Sequence, residues 1–343
     1  MKAVGFHEHG GLDRLQLLEV PRPEIGPDEL LVRVKACALN HLDLWVREGI
    51  PGLRLKMPHI PGCDVAGDVA AVGRSISYPE PGVRVAVNPG LTCGECEWCS
   101  IGEDPLCVEY KILGEHVPGG YAEYVRVPAR NCVELPTDFD YVESAAAPLV
   151  FMTAWRMLIS RAKIRPGEDV LVLGASSGVS TAAIQIAKYA GCTVFATSSS
   201  DEKLRKAKEI GADVLINYKQ MEFEKAVWEL TGKRGVDVIV DHVGPATFGK
   251  SLRALARGGR LVFCGATSGS EATFDLRRSF YRGHSILGST MSSQKEFEDV
   301  MKLVFRRKLK PVVDSTFPLE KARNAQERLQ KGEQFGKVVL VVS

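Results

Sequence analysis

Hydrophobic and polar positions along this chain follow two rhythms. Over the first 150 residues, short runs that alternate or stay apolar stand between Gly and Pro breakers such as Gly26-Pro27 and Pro81-Gly82: Glu29–Lys35, Val65–Val72, Arg84–Val87 and Tyr121–Val127. That pattern predicts a domain built mainly of strands and turns. From the turn Arg165-Pro166-Gly167 onward, apolar strands are predicted at Asp169–Leu173, Thr193–Thr197, Val214–Ile216, Val236–Asp241 and Arg260–Cys264. Between them the apolar spacing changes to that of helices, at Val179–Ala190, Asp201–Ile210, Phe223–Thr231 and Ala246–Ala256. Strand and helix alternating in this way require right-handed crossovers, hence an α/β fold with a doubly wound parallel sheet covered on both faces. Ser285–Ser289 supplies a sixth strand. Two further helices, near Gln294–Arg306 and Leu319–Gln330, and a last strand Lys337–Val342 are expected to return to the first domain. The parallel-sheet domain therefore reads as an insertion, residues 151–288, in a domain made of residues 1–150 and 289–343.

The length of 343 residues agrees with two cores. With 45% hydrophobic residues, 25% charged residues and a net charge of +2, the composition is that of an ordinary globular protein without the basic footprint of a nucleic-acid binder. A small-molecule partner is the expectation. No basic-then-apolar leader follows Met1 and no apolar run approaches the roughly 20 residues a membrane span needs, so a cytoplasmic location is expected.

Two motifs carry chemistry. The first is Val170-Leu171-Val172-Leu173-Gly174-Ala175-Ser176-Ser177-Gly178-Val179, an apolar strand turning through small residues directly into a helix. Small residues let a pyrophosphate approach the backbone N–H groups at the positive end of a helix, the design of a dinucleotide (Rossmann) turn. Gly174, Ser176, Ser177, Gly178 and Val179 are its candidate contacts. An NAD site usually ends its second strand in an acid that binds the adenosine ribose. Here that strand ends Thr197-Ser198-Ser199-Ser200, with Lys203 one helical turn on. Hydroxyls and an ammonium suit a 2′-phosphate, so NADP is favoured, with NAD as the alternative.

The second motif is the cluster Cys93, Cys96, Cys99 and Cys107, spaced by two, two and seven residues. Four thiolates can close a tetrahedral shell on one structural zinc and staple the lobe 93–107. Nine cysteines is an odd count, and Cys37, Cys132, Cys192 and Cys264 stand singly in apolar contexts, which argues for metal and core roles over disulfides. His7, His9, His116, His242 and His284 lack a second ligand at metal spacing and read as surface or packed side chains.

Together the cysteine lobe, the Rossmann motif, Gly26-Pro27-Asp28-Glu29, Pro61-Gly62-Cys63-Asp64-Val65-Ala66-Gly67, Ala147-Pro148-Leu149 and Gly211-Ala212-Asp213 resemble the medium-chain dehydrogenase/reductase superfamily. The resemblance covers nearly the whole chain and implies a GroES-like β domain holding the inserted Rossmann domain. It also implies that His41 and Lys337 lie near the pyrophosphate, Thr153 beside the nicotinamide and Tyr218 near the adenine end, with Val243, Cys264 and Leu287 framing the nicotinamide amide. In the zinc alcohol dehydrogenases of that superfamily, three positions ligate a catalytic zinc. The matching residues here are Asn40, Cys63 and Leu149, and the proton-relay Ser/Thr is replaced by Leu42. An amide is a poor zinc ligand and a leucine is none, so a second zinc is not expected unless His59, Cys63 and Asp64 form an unusual set.

Asn40-x-x-Asp43 instead resembles the zinc-free quinone oxidoreductase branch. The leading expectation is therefore NADPH-dependent reduction of a conjugated C=C, with Asn40 donating to the developing enolate and Asp43, Cys63 and Asp64 completing the catalytic group. The alternatives are a zinc-dependent alcohol dehydrogenase and a cofactor-binding sensor without turnover. A homodimer or homotetramer pairing along Ser285–Ser289 is also expected.

Overall fold

A computed structural model describes residues 1–343. The chain divides into two compact units: residues Met1–Leu149, Ser292–Arg307 and Pro311–Ser343 in one, Val150–Met291 and Lys308–Lys310 in the other.

The second unit is a six-stranded sheet. Its spatial order is Val214–Asn217, Thr193–Ser198, Asp169–Val172, Val236–Asp241, Leu255–Phe263 and Ser285–Gly288, and every neighbouring pair is parallel. The third, second and first strands run outward one way and the fourth, fifth and sixth the other. The order therefore reverses between Asp169–Val172 and Val236–Asp241, the switch point at which doubly wound sheets bind ligands. Leu171, Phe195, Ile239 and Leu261 lie in the core with Val227 and Leu252 from helices Phe223–Leu230 and Pro245–Ala254. Sequence patterning placed these strands within a residue or two, save that the fifth begins at Leu255 instead of Arg260. Leu255 and Ala256, expected as the end of a helix, leave it at Ala254 and are buried in the sheet.

The first unit is a seven-stranded sheet whose path runs Val313–Pro318, Lys337–Val341, Glu29–Ala38, Asp64–Val72, Arg84–Val87 and Cys132–Glu134, with Tyr124–Pro128 pairing Glu29–Ala38 off that path. The C-terminal strand Lys337–Val341 thus pairs antiparallel with Glu29–Ala38. Tyr121–Ala122 had been expected inside a strand. The N–H groups of Gly119, Gly120 and Tyr121 instead donate to the carbonyls of Ile60, Gly62 and Pro61 at 2.7, 2.8 and 3.0 Å, and the strand starts at Tyr124. The elements that the patterning does not anticipate include the helices His41–Glu48, Pro148–Trp155 and Leu276–Arg282 and the edge strand Val313–Pro318. No helix is long and apolar enough to cross a membrane.

Candidate functional site

Strand register brings four distant segments to one end of the first sheet. Ala38 lies opposite Asp64 on one side and Val339 on the other, so Asn40, Cys63-Asp64 and Lys337 converge there. All four are buried: Asn40 is 7% exposed, Cys63 and Asp64 0% and Lys337 3%. The Lys337 ammonium donates to Asn40 Oδ1 at 2.6 Å and to Asp64 Oδ2 at 2.9 Å. Asn40 Nδ2 donates to Asp64 Oδ2 at 2.8 Å and to Cys63 Sγ at 3.2 Å. The remaining Asp64 oxygen accepts from Leu149 N at 2.7 Å. A buried cation and anion are tolerated here because each is met by its opposite and by further hydrogen bonds.

Asp43, in the first turn of helix His41–Glu48, braces this cluster. Its carboxylate accepts from the N–H of Asn40 (2.7 Å) and of Gly62 (3.1 Å) and from the Tyr121 hydroxyl (3.3 Å). Burial raises its pKa to about 6 against the opposing pull of the Asn40 N–H and Lys337. Cys63 and Cys37 are pushed well above the usual thiol range, again chiefly by burial with Asp43 and Asp64 nearby, so both are neutral thiols. Tyr121 had no signal in the sequence beyond its place in an apolar run.

This group does not fit a catalytic zinc. Its ligand positions present an amide, a single thiol and a leucine, and its carboxylate is already bound by an ammonium. Nor do His59, Cys63 and Asp64 form a set, because the His59 ring is turned to the Gly114 carbonyl at 3.0 Å. Both hydrogens of the Asn40 amide are committed to Cys63 and Asp64, which corrects the expectation that Asn40 is the free donor.

Cys93, Cys96, Cys99 and Cys107 do fit a metal. Their sulfurs all lie within 4.8 Å of one another, and three of the separations are 3.5, 3.6 and 3.9 Å. Tetrahedral zinc with bonds of ~2.3 Å places its sulfurs about 3.8 Å apart. Backbone N–H groups of Cys99 and Val108 lower Cys96 to about 6 while burial raises Cys99 to about 12, so the fit to a metal rests on the sulfur geometry. These four are the one group of three or more His, Cys, Asp or Glu donors close enough to share an ion.

In the second unit the expected dinucleotide residues gather at the C-terminal ends of the strands. Gly174 adopts φ +58°, a left-handed conformation that turns the chain into helix Gly178–Tyr189. Ser177 caps that helix, its hydroxyl accepting from Ser180 N at 3.0 Å. Ser198, 4% exposed, ends the second strand, and Tyr218 N donates to the Ser198 carbonyl at 3.1 Å. Lys203 reaches back from the next helix to within 3.5 Å of Ser176 Oγ. Asp201 is engaged by Asn217 at 2.6 Å. Asp241 fixes the loop carrying Val243 by accepting from Val243 N at 2.8 Å and Gly244 N at 3.1 Å. Val243, Cys264 and Leu287 are half-buried at the ends of the fourth, fifth and sixth strands. Thr153 Oγ1 is buried without a hydrogen-bond partner, the condition of a hydroxyl whose partner is a ligand. The site also contains a residue the sequence reading had set aside: His242 Nε2 lies 3.0 Å from Ser177 Oγ.

Residues 26–137 match the alcohol dehydrogenase GroES-like domain and residues 178–306 the zinc-binding dehydrogenase family. The chain is 34% identical over 330 residues to an alcohol dehydrogenase of Geobacillus stearothermophilus, covering 95% of each chain. It is 30% identical to the quinone oxidoreductase of Homo sapiens, over 100% of this chain and 98% of that one. Its fold superposes on a crystal structure of an NAD-dependent alcohol dehydrogenase with a TM-score of 0.97 and 48% identity over 100% of both chains. With a GroES-like domain, a Rossmann-type sheet and relatives matched along its whole length, this chain belongs to the medium-chain dehydrogenase/reductase superfamily and is an NAD(P)-dependent oxidoreductase.

Proposed function

We propose that the enzyme reduces a carbon–carbon double bond conjugated to a carbonyl, using NADPH and no catalytic zinc. The observation that carries this reading is the buried ammonium of Lys337, held by Asn40 Oδ1 and Asp64 Oδ2 among the residues that match metal ligands in the zinc alcohol dehydrogenases. Removing hydride from an unactivated alcohol calls for a Lewis acid to form the alkoxide. A conjugated acceptor is already activated and needs only stabilisation of the charge that reaches its oxygen.

NADPH, when bound, would supply the hydride for the β-carbon. As the C–H bond forms, the π electrons move to the carbonyl oxygen, and an enolate results. An ammonium has three hydrogens, and after Asn40 and Asp64 have each taken one, Lys337 keeps a single hydrogen to give. That hydrogen would be the one available to a developing enolate oxygen, with water as the source of the proton for the α-carbon. Asn40 and Asp64 hold Lys337, and Asp43 holds Asn40. Lys203, Ser176 and Ser198 would receive the 2′-phosphate of NADP, a reading supported by the absence of a carboxylate at the end of strand Thr193–Ser198. The four cysteines would hold one structural zinc, their sulfurs lying within 4.8 Å of one another.

The rival reading is a zinc-dependent alcohol dehydrogenase, favoured by the similarity to such enzymes. Metal analysis with a substrate panel separates the two. One zinc per chain and NADPH-dependent turnover of enones or quinones are expected, whereas two zinc ions with alcohol oxidation would overturn the proposal.

A further inference from the structure

The segment that carries the four cysteines, residues 93–107, contains Glu95, Glu97, Glu103 and Asp104 and no lysine or arginine. Four thiolates around one Zn²⁺ add two further negative charges, which a metal-free lobe with protonated thiols lacks. Zinc binding therefore concentrates like charge in a short loop. A cation brought in from outside the loop favours the bound state over the free one.

Arg130 is such a cation. It stands in the turn Ala129–Asn131, between strands Tyr124–Pro128 and Cys132–Glu134. The turn is fixed by Asn131, which is buried and whose Nδ2 donates to the carbonyls of Asn88 and Gly90 at 2.9 and 2.7 Å. From that base the guanidinium reaches both chain neighbours of Cys93. Its Nη2 donates to the Thr92 carbonyl. On the other side it lies against Gly94, where a built Cβ would overlap Nη1 and stand 3.4 Å from Cζ. Gly94, at φ +83°, has no side chain to bar that approach. The Gly94 N–H in turn donates to Cys99 Sγ, and Thr92, Gly94, Cys99 and Arg130 help to line one cavity of about 130 Å³. The acceptor at Thr92 is an uncharged carbonyl, so the guanidinium charge is not cancelled at that contact.

We infer that Arg130 is the outer counter-charge of the four-cysteine site, its guanidinium favouring the zinc-bound tetrathiolate over the metal-free lobe. It is a positioning residue, acting on the ligands through Thr92 and Gly94 and by its charge. Groups just outside a metal's ligand shell change its affinity by about 10–100-fold. Arg130 is exposed, so the lower end of that range applies, and salt weakens the effect: charge is screened over about 30 Å at 0.01 M ionic strength and over about 3 Å at 1 M. The inference rests on the assignment of one zinc to the four cysteines.

The test is the zinc dissociation constant of the purified full chain, measured in chelator-buffered zinc at about 0.01 M and about 1 M salt, with each variant compared to the parent at the same salt. Arg130→Met is expected to bind zinc about tenfold more weakly at low salt and within about twofold of the parent at high salt. Arg130→Lys keeps the charge and should stay within about threefold of the parent at both. An Arg130→Met affinity equal to the parent's at low salt would overturn the inference. A loss of equal size at both salts, or one that Arg130→Lys shares, would also overturn it, since the guanidinium would then be only a tie to the Thr92 carbonyl. A parent chain that takes up no zinc, or a Cys96→Ser variant that keeps it, would overturn the cysteine assignment and the inference with it. If Arg130→Met does not fold, Arg130→Gln replaces it under the same criteria.

Discussion

Replacing Lys337 by methionine separates the two things that its ammonium does. The side chain is 3% exposed and its ion-pair partner Asp64 is 0% exposed. Without the ammonium, the Asp64 carboxylate keeps the Asn40 amide and the Leu149 N–H but loses its only opposite charge in the cluster. Breaking a buried pair on one side costs about 3–5 kcal/mol, because the surviving ion stays desolvated and unpaired. Lys337→Met should therefore be markedly less stable to denaturant, and adding Asp64→Asn should recover most of the loss by removing the stranded charge. Turnover should behave differently. Losing one donor to a developing oxyanion lowers kcat by a factor of about 10²–10³, and the double variant should remain that slow even with its stability restored. NADPH affinity, read by fluorescence titration, is expected to change by less than about threefold. A double variant with the parent kcat would remove Lys337 from the chemistry. A rise in the NADPH dissociation constant with kcat preserved would return it to the pyrophosphate role that the family resemblance implied.

Four more outcomes are expected. Cys96→Ser should drop zinc from one per chain toward none and lower thermal stability while NADPH affinity stays nearly unchanged; retention of the metal would refute the tetrathiolate site. Ser198→Asp should turn a preference for NADPH into one for NADH, since a carboxylate at the end of strand Thr193–Ser198 repels a 2′-phosphate, and equal ratios in parent and variant would refute the serine argument. Asp43 has its pKa raised by burial from 3.8 to about 6, so its contribution to stability is greatest below its unfolded pKa and is lost as pH rises through about 6. The size is about 3 kcal/mol between the two limits, and Asp43→Asn should flatten that part of a stability profile recorded from pH 4 to pH 8. Ser289 N donates inward to Phe263 O, so by alternation the Gly288 N–H points to the open edge of the sheet. Gly288→Pro should lower the mass seen in light scattering if copies of the chain pair along that edge, and an unchanged mass would exclude such pairing.

What the sequence by itself determined is the part of this protein governed by short-range periodicity. Apolar runs near Val170, Val194 and Val238, separated by amphipathic stretches, allow only a parallel sheet with right-handed crossovers, and the small residues from Gly174 to Gly178 mark the tight turn from the first of its strands into a helix. The four-cysteine cluster was equally legible, because its members lie within fifteen residues and thiol spacing is a local property. Only the tertiary structure decided the roles of Asn40, Asp64 and Lys337. Lys337 stands 297 positions from Asn40, and what joins them is the register of three strands around Ala38. A motif shows that an amide stands at position 40, but it cannot show that both its hydrogens are already spent. His242 was hidden for the same reason. Nothing adjacent to it in the chain marks it, and its contact with Ser177 arises from the strand order that sets Val236–Asp241 beside Asp169–Val172. Hydrogen-bond partners are chosen in three dimensions, by groups that desolvation compels to find one another, and the spacing of residues along a chain carries no record of that choice.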